Sequence, residues 1–494
     1  MGARTGADYL EALKNMHPTI HLDGETITGD VAEHPAFAGV VKTYAELYDM
    51  QHDERTRDLT TYTEGGGRYG TSFMVPRSAE DLASRREAAS AWARHSAGML
   101  GRTGDYLNAA LTALSQAQDW FADTDPAFGE NARKYYEYAR DNDVLTTHTL
   151  IPPQVNRSVA VNQQGDGQVS AHIVREDDNG IVVRGARMLA TIAPFAEEVL
   201  VFPSTVLKGG PDDAKYSFAF AIQNDAPGLR YLCRKSLHSG GGAFNEPLAS
   251  RFEEMDAVVI FDDVHVPWER VFMLGSPEKC NGFYNDTGAT SLMTHQVVSR
   301  TTVKSEFYAG LLMEMADAIG IDQFPHIRED IASVLVAAEM GRSALRASEA
   351  DGAINRYGFF QPRWASLNAA RNWYPKVFQQ FPAIVRKFGA SGLMALPDEA
   401  DVLGGQGADD VATYLQSRNL TGVDRVKLFR LAFDAAISSF AGRQTLYEYY
   451  FFGDPIRMAS AFVDATDTEP LRQRVRDLLE RTEDPVGEAL QAHP

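Results

Sequence analysis

The sequence predicts an α+β fold in three parts: helical, then β-rich, then helical. Three observations point there. Through the first ~146 residues apolar side chains recur mostly at helical spacings. After a proline-containing junction the period drops to two, with Val169, Ala171 and Ile173 alternating against Gln168, Ser170 and His172. From about Asn281 the period becomes helical again. At 494 residues the chain is too long for one hydrophobic core. The expected division is 1–147, 148–272 and 273–494.

In the first part, Thr5 to Asn15 reads as a short helix, and Ala32 to His52 contains another. Gly65-Gly66-Gly67 reads as a loop with unusual backbone freedom. Pro76 and Ser78 introduce a long helix, with Asp81 completing an approximate capping box. Gly101-Arg102-Thr103-Gly104 breaks that run, and helices follow from Asp105 and from about Gly129 to Asp141. In the middle part, Asp178-Asn179-Gly180 is a hairpin signal, and Ile181 to Arg184 is the return strand. Glu197–Phe202, Tyr216–Ile222 and Ala257–Asp262 are further strand candidates, with Tyr216, Phe218, Phe220 and Ile222 on one face. The stretch from Asp256 to Arg270 reads as a buried strand and its exit loop, stabilising a boundary. In the last part, Val426, Phe429, Phe433, Ala436 and Phe440 form one helical stripe, a pattern more often bundle core than cofactor contact.

Composition excludes several classes. A net charge of -20 opposes binding to nucleic acid or an anionic membrane, and no apolar run approaches a bilayer span. Two cysteines, Cys233 and Cys280, are too few for a disulfide framework or a four-cysteine zinc site. No secretory signal is visible at the N-terminus, so the expected address is the cytoplasm. No phosphate loop, HExxH motif, GxSxG elbow or dinucleotide fingerprint in strand–turn–helix context is present, and no metal site is expected. Chemistry must then come from a constellation built across the parts.

The best candidate for that constellation starts at the junction, His148-Thr-Leu-Ile-Pro-Pro-Gln-Val-Asn-Arg157. Pro152 and Pro153 fix φ and remove two N–H donors, so the segment can neither continue a helix nor sit centrally in a sheet. It is either an interdomain linker or a rigid polar strip for a ligand. Arg102 and Tyr106, four apart across a helix start, can face one pocket. They can equally be a surface arginine lying on a half-buried tyrosine.

Taken in order, Gly101-Arg-Thr-Gly-Asp-Tyr-Leu-Asn108, Thr147 to Arg157, Met188-Leu-Ala-Thr191, Asp256 to Arg270 and Gly442-Arg-Gln-Thr-Leu-Tyr-Glu-Tyr449 resemble one family over nearly the full chain. It is the oxygenase component of two-component 4-hydroxyphenylacetate 3-monooxygenases, with the related chlorophenol monooxygenases. The resemblance implies an acyl-CoA-dehydrogenase-like fold: an N-terminal α domain, a middle β-barrel and a C-terminal helical bundle, assembled as a homotetramer. It implies FAD as cofactor, received as FADH2 from a separate NAD(P)H-dependent flavin reductase, and O₂ as co-substrate. The implied reaction is hydroxylation of a phenol ortho to its hydroxyl through a C4a-hydroperoxyflavin. The first expectation for the substrate is 4-hydroxyphenylacetate, giving 3,4-dihydroxyphenylacetate. Another phenol, a chlorophenol or a carrier-tethered tyrosine derivative, stays open.

By the same resemblance Arg102, Tyr106 and His148 are the catalytic candidates, for activating, orienting and deprotonating the phenol. Thr103, Gly104 and Asp105 would join them around the substrate, Ser204 and Thr205 would hold a substrate carboxylate, and His295 is a second candidate base. The flavin positions would be His148, Thr149, Leu150, Gln154, Val155, Asn156, Arg157 and Thr191, with Gly453, Asp454, Pro455, Ile456 and Arg457 near the C-terminus. Pro152 departs from the family pattern, as does Lys208-Gly209-Gly210-Pro211. An acyl-CoA dehydrogenase-like flavoprotein is the rival reading. The iron–sulfur dehydratases of this fold need three cysteine ligands, and two cannot supply them.

Overall fold

Local capping chemistry sets the helix starts. The Thr5 hydroxyl accepts from Asp8 N–H while the Asp8 carboxylate accepts from Thr5 N–H, opening the helix Gly6–Lys14. Ser78 accepts from Asp81 N–H to open Ala79–His95, but the Asp81 carboxylate takes the N–H of Arg77, one residue further back than a regular box. The helices Gly104–Gln116 and Pro126–Asn142 follow. The computed structural model describes residues 2–27, 29–156, 158–203, 207, 209 and 211–481.

The strands are β1 (Thr19–Leu22), β2 (Glu25–Ile27), β3 (Thr61–Glu64), β4 (Gly67–Gly70), β5 (Thr146–Thr149), β6 (His172–Asp177), β7 (Gly180–Thr191), β8 (Glu198–Val201), β9 (Phe218–Gln223), β10 (Leu229–Cys233), β11 (Asp256–Pro267) and β12 (Val271–Leu274). They build a six-stranded sheet, β2-β1-β10-β11-β7-β6, and a four-stranded sheet, β12-β9-β8-β5. β6 and β7 pair as the hairpin that Asp178-Asn179-Gly180 predicts. The two sheets meet where Ile151, just past β5, bridges Met188 of β7. β5 is an edge strand, parallel to β8, which lets the chain leave it through Pro152-Pro153 without breaking a ladder.

Three differences from the sequence expectation have physical causes. β1 and β2 arise within the first part yet extend the middle sheet through parallel pairing of β1 with β10, a non-local contact that periodicity cannot show. β11 runs past Asp262 to Pro267 because its register shifts between Phe261 and Val264, where Asp263 takes φ 53°. A pair of aspartates looks like a strand end; here it is a bulge. The 426–440 stripe spans two helices, Gly422–Ala436 and Ser439–Tyr450, with Ser438 capping the second, although Phe440 stays buried.

The C-terminal part is organised by the helix Ala289–Ala318, which packs against Ala79–His95, Gly104–Gln116, Pro325–Ala350 and Trp364–Phe378. It is buried on nearly every side and carries charge inside. Arg300 and Lys304 both meet the Glu448 carboxylate, Arg300 Nη1 at 2.6 Å and Lys304 Nζ at 2.7 Å. These cations hold Glu448 at about 2, well below the ordinary carboxylate range.

Candidate active site

The turn Gly101–Thr103 and the first turn of Gly104–Gln116 put Arg102 directly over Tyr106. The guanidinium carbon lies 4.5 Å from the Tyr106 ring centroid, 4.3 Å from that of Phe451 and 5.5 Å from that of Tyr447. Its Nη1 donates to the Tyr447 hydroxyl at 2.9 Å. Three aromatic rings thus hold the cation by quadrupole attraction while its remaining N–H groups stay available. His148, buried in β5, lies 5.7 Å from the Tyr106 ring, centroid to centroid. Arg102, Tyr106 and His148 therefore form one cluster, contributed by a helix start and an edge strand.

The supports of that cluster include Glu254, Arg443 and Tyr447, which are not among the candidate site residues above. Glu254 is fully buried, and its Oε1 accepts from the N–H groups of both Gly101 and Arg102 at 2.7 Å. Its Oε2 pairs with Arg443, which also binds Asp256. Asp256 accepts in turn from the Thr191 hydroxyl at 2.7 Å. Arg443 lies over the Tyr447 ring at 4.5 Å. A Cβ at Gly101 would sit 2.0 Å from the Tyr447 hydroxyl, so only glycine lets the turn pass beneath that ring. Tyr447 and Phe451 lie four apart at the end of Ser439–Tyr450, an i, i+4 aromatic pair that was the available signal for them.

Electrostatics follow from burial. Desolvation, assisted by the Arg102 cation, pushes the His148 imidazole well below its usual 6.5, so it is neutral at physiological pH. Burial raises the Tyr106 hydroxyl, so it keeps its proton and remains a donor. His148 Nδ1 and the Thr149 hydroxyl are buried without a hydrogen-bond partner. Orphaned polar atoms of this kind are uncommon in protein interiors and suit a polar ligand.

The other candidate positions distribute differently. Thr103 and Asp105 turn away from Arg102: the Thr103 hydroxyl donates to Asp105, whose other oxygen accepts from Gln296 at 3.1 Å. Gly104 is buried beside Leu145 and Trp92. His295 lines a separate cavity with Asp105, Gln296 and Arg85, and its Nε2 meets Glu349 at 2.9 Å. The structure does not bring it to His148. Leu150 is half-buried; Gln154, Val155 and Asn156 are exposed, so the proline pair separates a buried His148 end from an exposed amide end. The Thr191 hydroxyl is occupied by Asp256. Gly453, at φ 105°, leads into the helix Pro455–Asp464, which Asp454 caps by accepting from Ile456 and Arg457 N–H; Ile456 and Arg457 are exposed. That turn follows Phe451 by two residues, next to the Arg102 cluster. Arg157, Ser204, Thr205 and Lys208 lie outside the described residues.

Comparison with known proteins agrees along the whole length. Residues 5–273 match the family 4-hydroxyphenylacetate 3-hydroxylase N terminal, and residues 280–480 match 4-hydroxyphenylacetate 3-hydroxylase C terminal. The 4-hydroxyphenylacetate 3-monooxygenase oxygenase component of Geobacillus sp. (strain PA-9) is 45% identical over 97% of this chain and 97% of its own. That of Thermus thermophilus is also 45% identical, over 97% and 98%. The crystal structure of such an oxygenase component complexed with FAD and 4-hydroxyphenylacetate superposes with a TM-score of 0.93 at 44% identity, covering 99% of this chain and 100% of that one. The acyl-CoA dehydrogenase of Geobacillus kaustophilus, at 13% identity and a TM-score of 0.53 over 87% of this chain and 92% of its own, shares the fold alone. The architecture is acyl-CoA-dehydrogenase-like, and the chain belongs to the 4-hydroxyphenylacetate 3-hydroxylase family.

Proposed function

We propose that this chain is the oxygenase component of a two-component aromatic monooxygenase, hydroxylating 4-hydroxyphenylacetate ortho to its phenol. The observation that carries the reading is the Arg102–Tyr106–His148 cluster, a held cation, a protonated phenol donor and a neutral base within one buried site. FAD fits the residues present: Thr149 offers an orphaned buried hydroxyl, and Gln154 and Asn156 offer exposed amides. Reduced flavin, delivered by a separate reductase, supplies the oxygen-transferring chemistry with O₂ when bound. The chain's own residues prepare the phenol. A free phenol has a pKa of ~10 and little nucleophilic phenolate near neutrality. Arg102 stabilises the developing phenolate, the Tyr106 hydroxyl orients its oxygen, and His148 Nδ1 accepts the proton. Ring carbons ortho to the oxygen become electron-rich as that proton leaves. The buried walls keep water from the reacting carbon.

On this reading the chain divides at 1–147, 148–272 and 273–494, with β1 and β2 reaching into the middle sheet. It works in the cytoplasm as a homotetramer joined through its C-terminal bundles. No helix among the described residues is long and apolar enough to cross a membrane. The test is Arg102→Ala. It should lower hydroxylation of 4-hydroxyphenylacetate by ~10²-fold or more, in line with the loss of one charge-stabilising donor, while titration with reduced FAD stays near wild type. Unchanged turnover would defeat the assignment.

A further inference from the structure

Three buried polar atoms without a partner among the described residues gather near the end of β5. His148 Nδ1 and the Thr149 hydroxyl are two of them, and the Tyr284 hydroxyl is the third. Tyr284 lies on the helix Pro277–Asp286. Its ring stands 6.3 Å from that of Phe202, edge to face, and the Phe202 N–H donates to the Thr149 carbonyl at 3.2 Å. One ring therefore separates Tyr284 from the strand that carries His148.

The ionisable groups facing the Tyr284 hydroxyl come from every side. They are Tyr106 of the helix Gly104–Gln116, Arg102 of the turn before it, Arg187 of β7 and Cys280 of its own helix. Burial, with Tyr106 beside it, pushes the Tyr284 hydroxyl well above its ordinary 10, so it keeps its proton and stays a donor. Burial also pushes the Cys280 thiol up to about 11, so it is neutral. A buried donor left without an acceptor is costly and uncommon. The two arginines can only donate, so the missing acceptor is a ligand atom, and cations on two sides favour one that gains negative charge.

We propose that Tyr284 is a further catalytic residue, whose hydroxyl donates to the phenolic oxygen of the substrate beside Tyr106. The assignment rests on the oxygenase reading above. A phenol oxygen donates one hydrogen bond and accepts two. His148 takes the donated one, and Tyr106 and Tyr284 fill the two acceptor positions. Arg102, lying over the Tyr106 ring with Nη1 given to Tyr447, then acts mainly through its charge. Both hydroxyl bonds strengthen as the proton moves to His148 and charge grows on the oxygen. Tyr284 therefore stabilises the ionised phenol more than the neutral one, and keeps its own proton throughout.

Tyr284→Phe removes the oxygen and keeps the ring on Phe202 and Phe283. Thermal unfolding of the ligand-free variant should match or exceed wild type, because the hydroxyl has no protein partner to lose. The direct readout uses 4-hydroxyphenylacetate carrying ¹³C at the hydroxyl-bearing carbon, bound with reduced FAD in the absence of O₂. Its NMR shift across a pH titration gives the acid ionisation constant of the bound phenol. Y284F should weaken that constant by about tenfold or more, the effect of losing one hydrogen bond to an ionised oxygen. Affinity for reduced FAD should stay within twofold of wild type. An unchanged ionisation constant would overturn the assignment. So would a lower melting temperature, which would make the hydroxyl a structural anchor, or a loss confined to reduced-FAD binding, which would turn it toward the cofactor. A wild type that hydroxylates no phenol sinks the oxygenase reading and this role with it, whereas an unaltered Y284F in an active enzyme sinks Tyr284 alone.

Discussion

His148 and Tyr447 carry the sharpest predictions about single residues. A histidine pushed below 6.5 by burial and a nearby cation stays neutral until the pH falls through its lowered value. The proton-accepting form therefore persists below the ordinary 6.5, and the acid limb of kcat/KM for the phenol should lie below that value. A limb centred at 6.5 would mean that His148 is solvated or is not the base. Tyr447 touches Arg102 through both its hydroxyl and its ring. Tyr447→Phe removes only the hydrogen bond, worth ~1.5–3 kcal/mol to a charged donor, and should lower phenol turnover by about tenfold or more. Measured affinity for reduced FAD should hardly move. The sequence made Arg102, Tyr106 and His148 legible through family resemblance; their spacing left a surface pair and a linker equally open. Glu254 was not legible, because its role is to accept two backbone N–H groups from a turn 153 and 152 residues away. Nothing local in Phe-Glu-Glu-Met marks such a contact.

Among elements, the helices were read well and the edge strands poorly. Helix starts announce themselves through Thr5 and Ser78, whose side chains cap the turns that follow, whereas the start that Ser438 caps falls inside the stripe read as one helix. β5 does not, because Thr-Thr-His-Thr is buried at all four positions and shows no alternation. It was nevertheless the strand that carries the proposed base. The contact between Ala289–Ala318 and Ser439–Tyr450 is a further element-level test, since it rests on Arg300, Lys304 and Glu448 in the interior. Removing the anion strands two buried cations. Glu448→Ala should therefore destabilise the fold by ~3–5 kcal/mol in urea unfolding, far more than loss of a surface pair. Because Arg300 also lies 5.6 Å from the Phe451 ring, the same change should loosen the aromatic box around Arg102.

Across the whole molecule, the Arg102 cluster draws residues from widely separated stretches of the chain. The N-terminal stretch supplies Arg102 and Tyr106, β5 supplies His148, and the helix Ser439–Tyr450 with Phe451 closes the box through Tyr447. What periodicity missed was the crossing between parts: β1 entering the middle sheet and Arg443 reaching Glu254 and Asp256. Such contacts join residues far apart in sequence and leave no local pattern. Assembly is a further whole-molecule question. The helix Glu469–Leu479 has no buried residue, yet Leu471, Val475 and Leu478 recur on one face. An apolar stripe left open to solvent marks a contact surface. Light scattering should give a tetramer for the wild type, and the double change Val475→Asp, Leu478→Asp should give a smaller species.

Given reduced flavin from outside, this chain should place oxygen from O₂ on a phenol that its own residues have activated. The most direct measurement is a single turnover with chemically reduced FAD, ¹⁸O₂ and 4-hydroxyphenylacetate, with no reductase present, followed by mass spectrometry of the product. The product should be 3,4-dihydroxyphenylacetate carrying one ¹⁸O. Flavin oxidation with no dihydroxylated product, or product without the label, would contradict it.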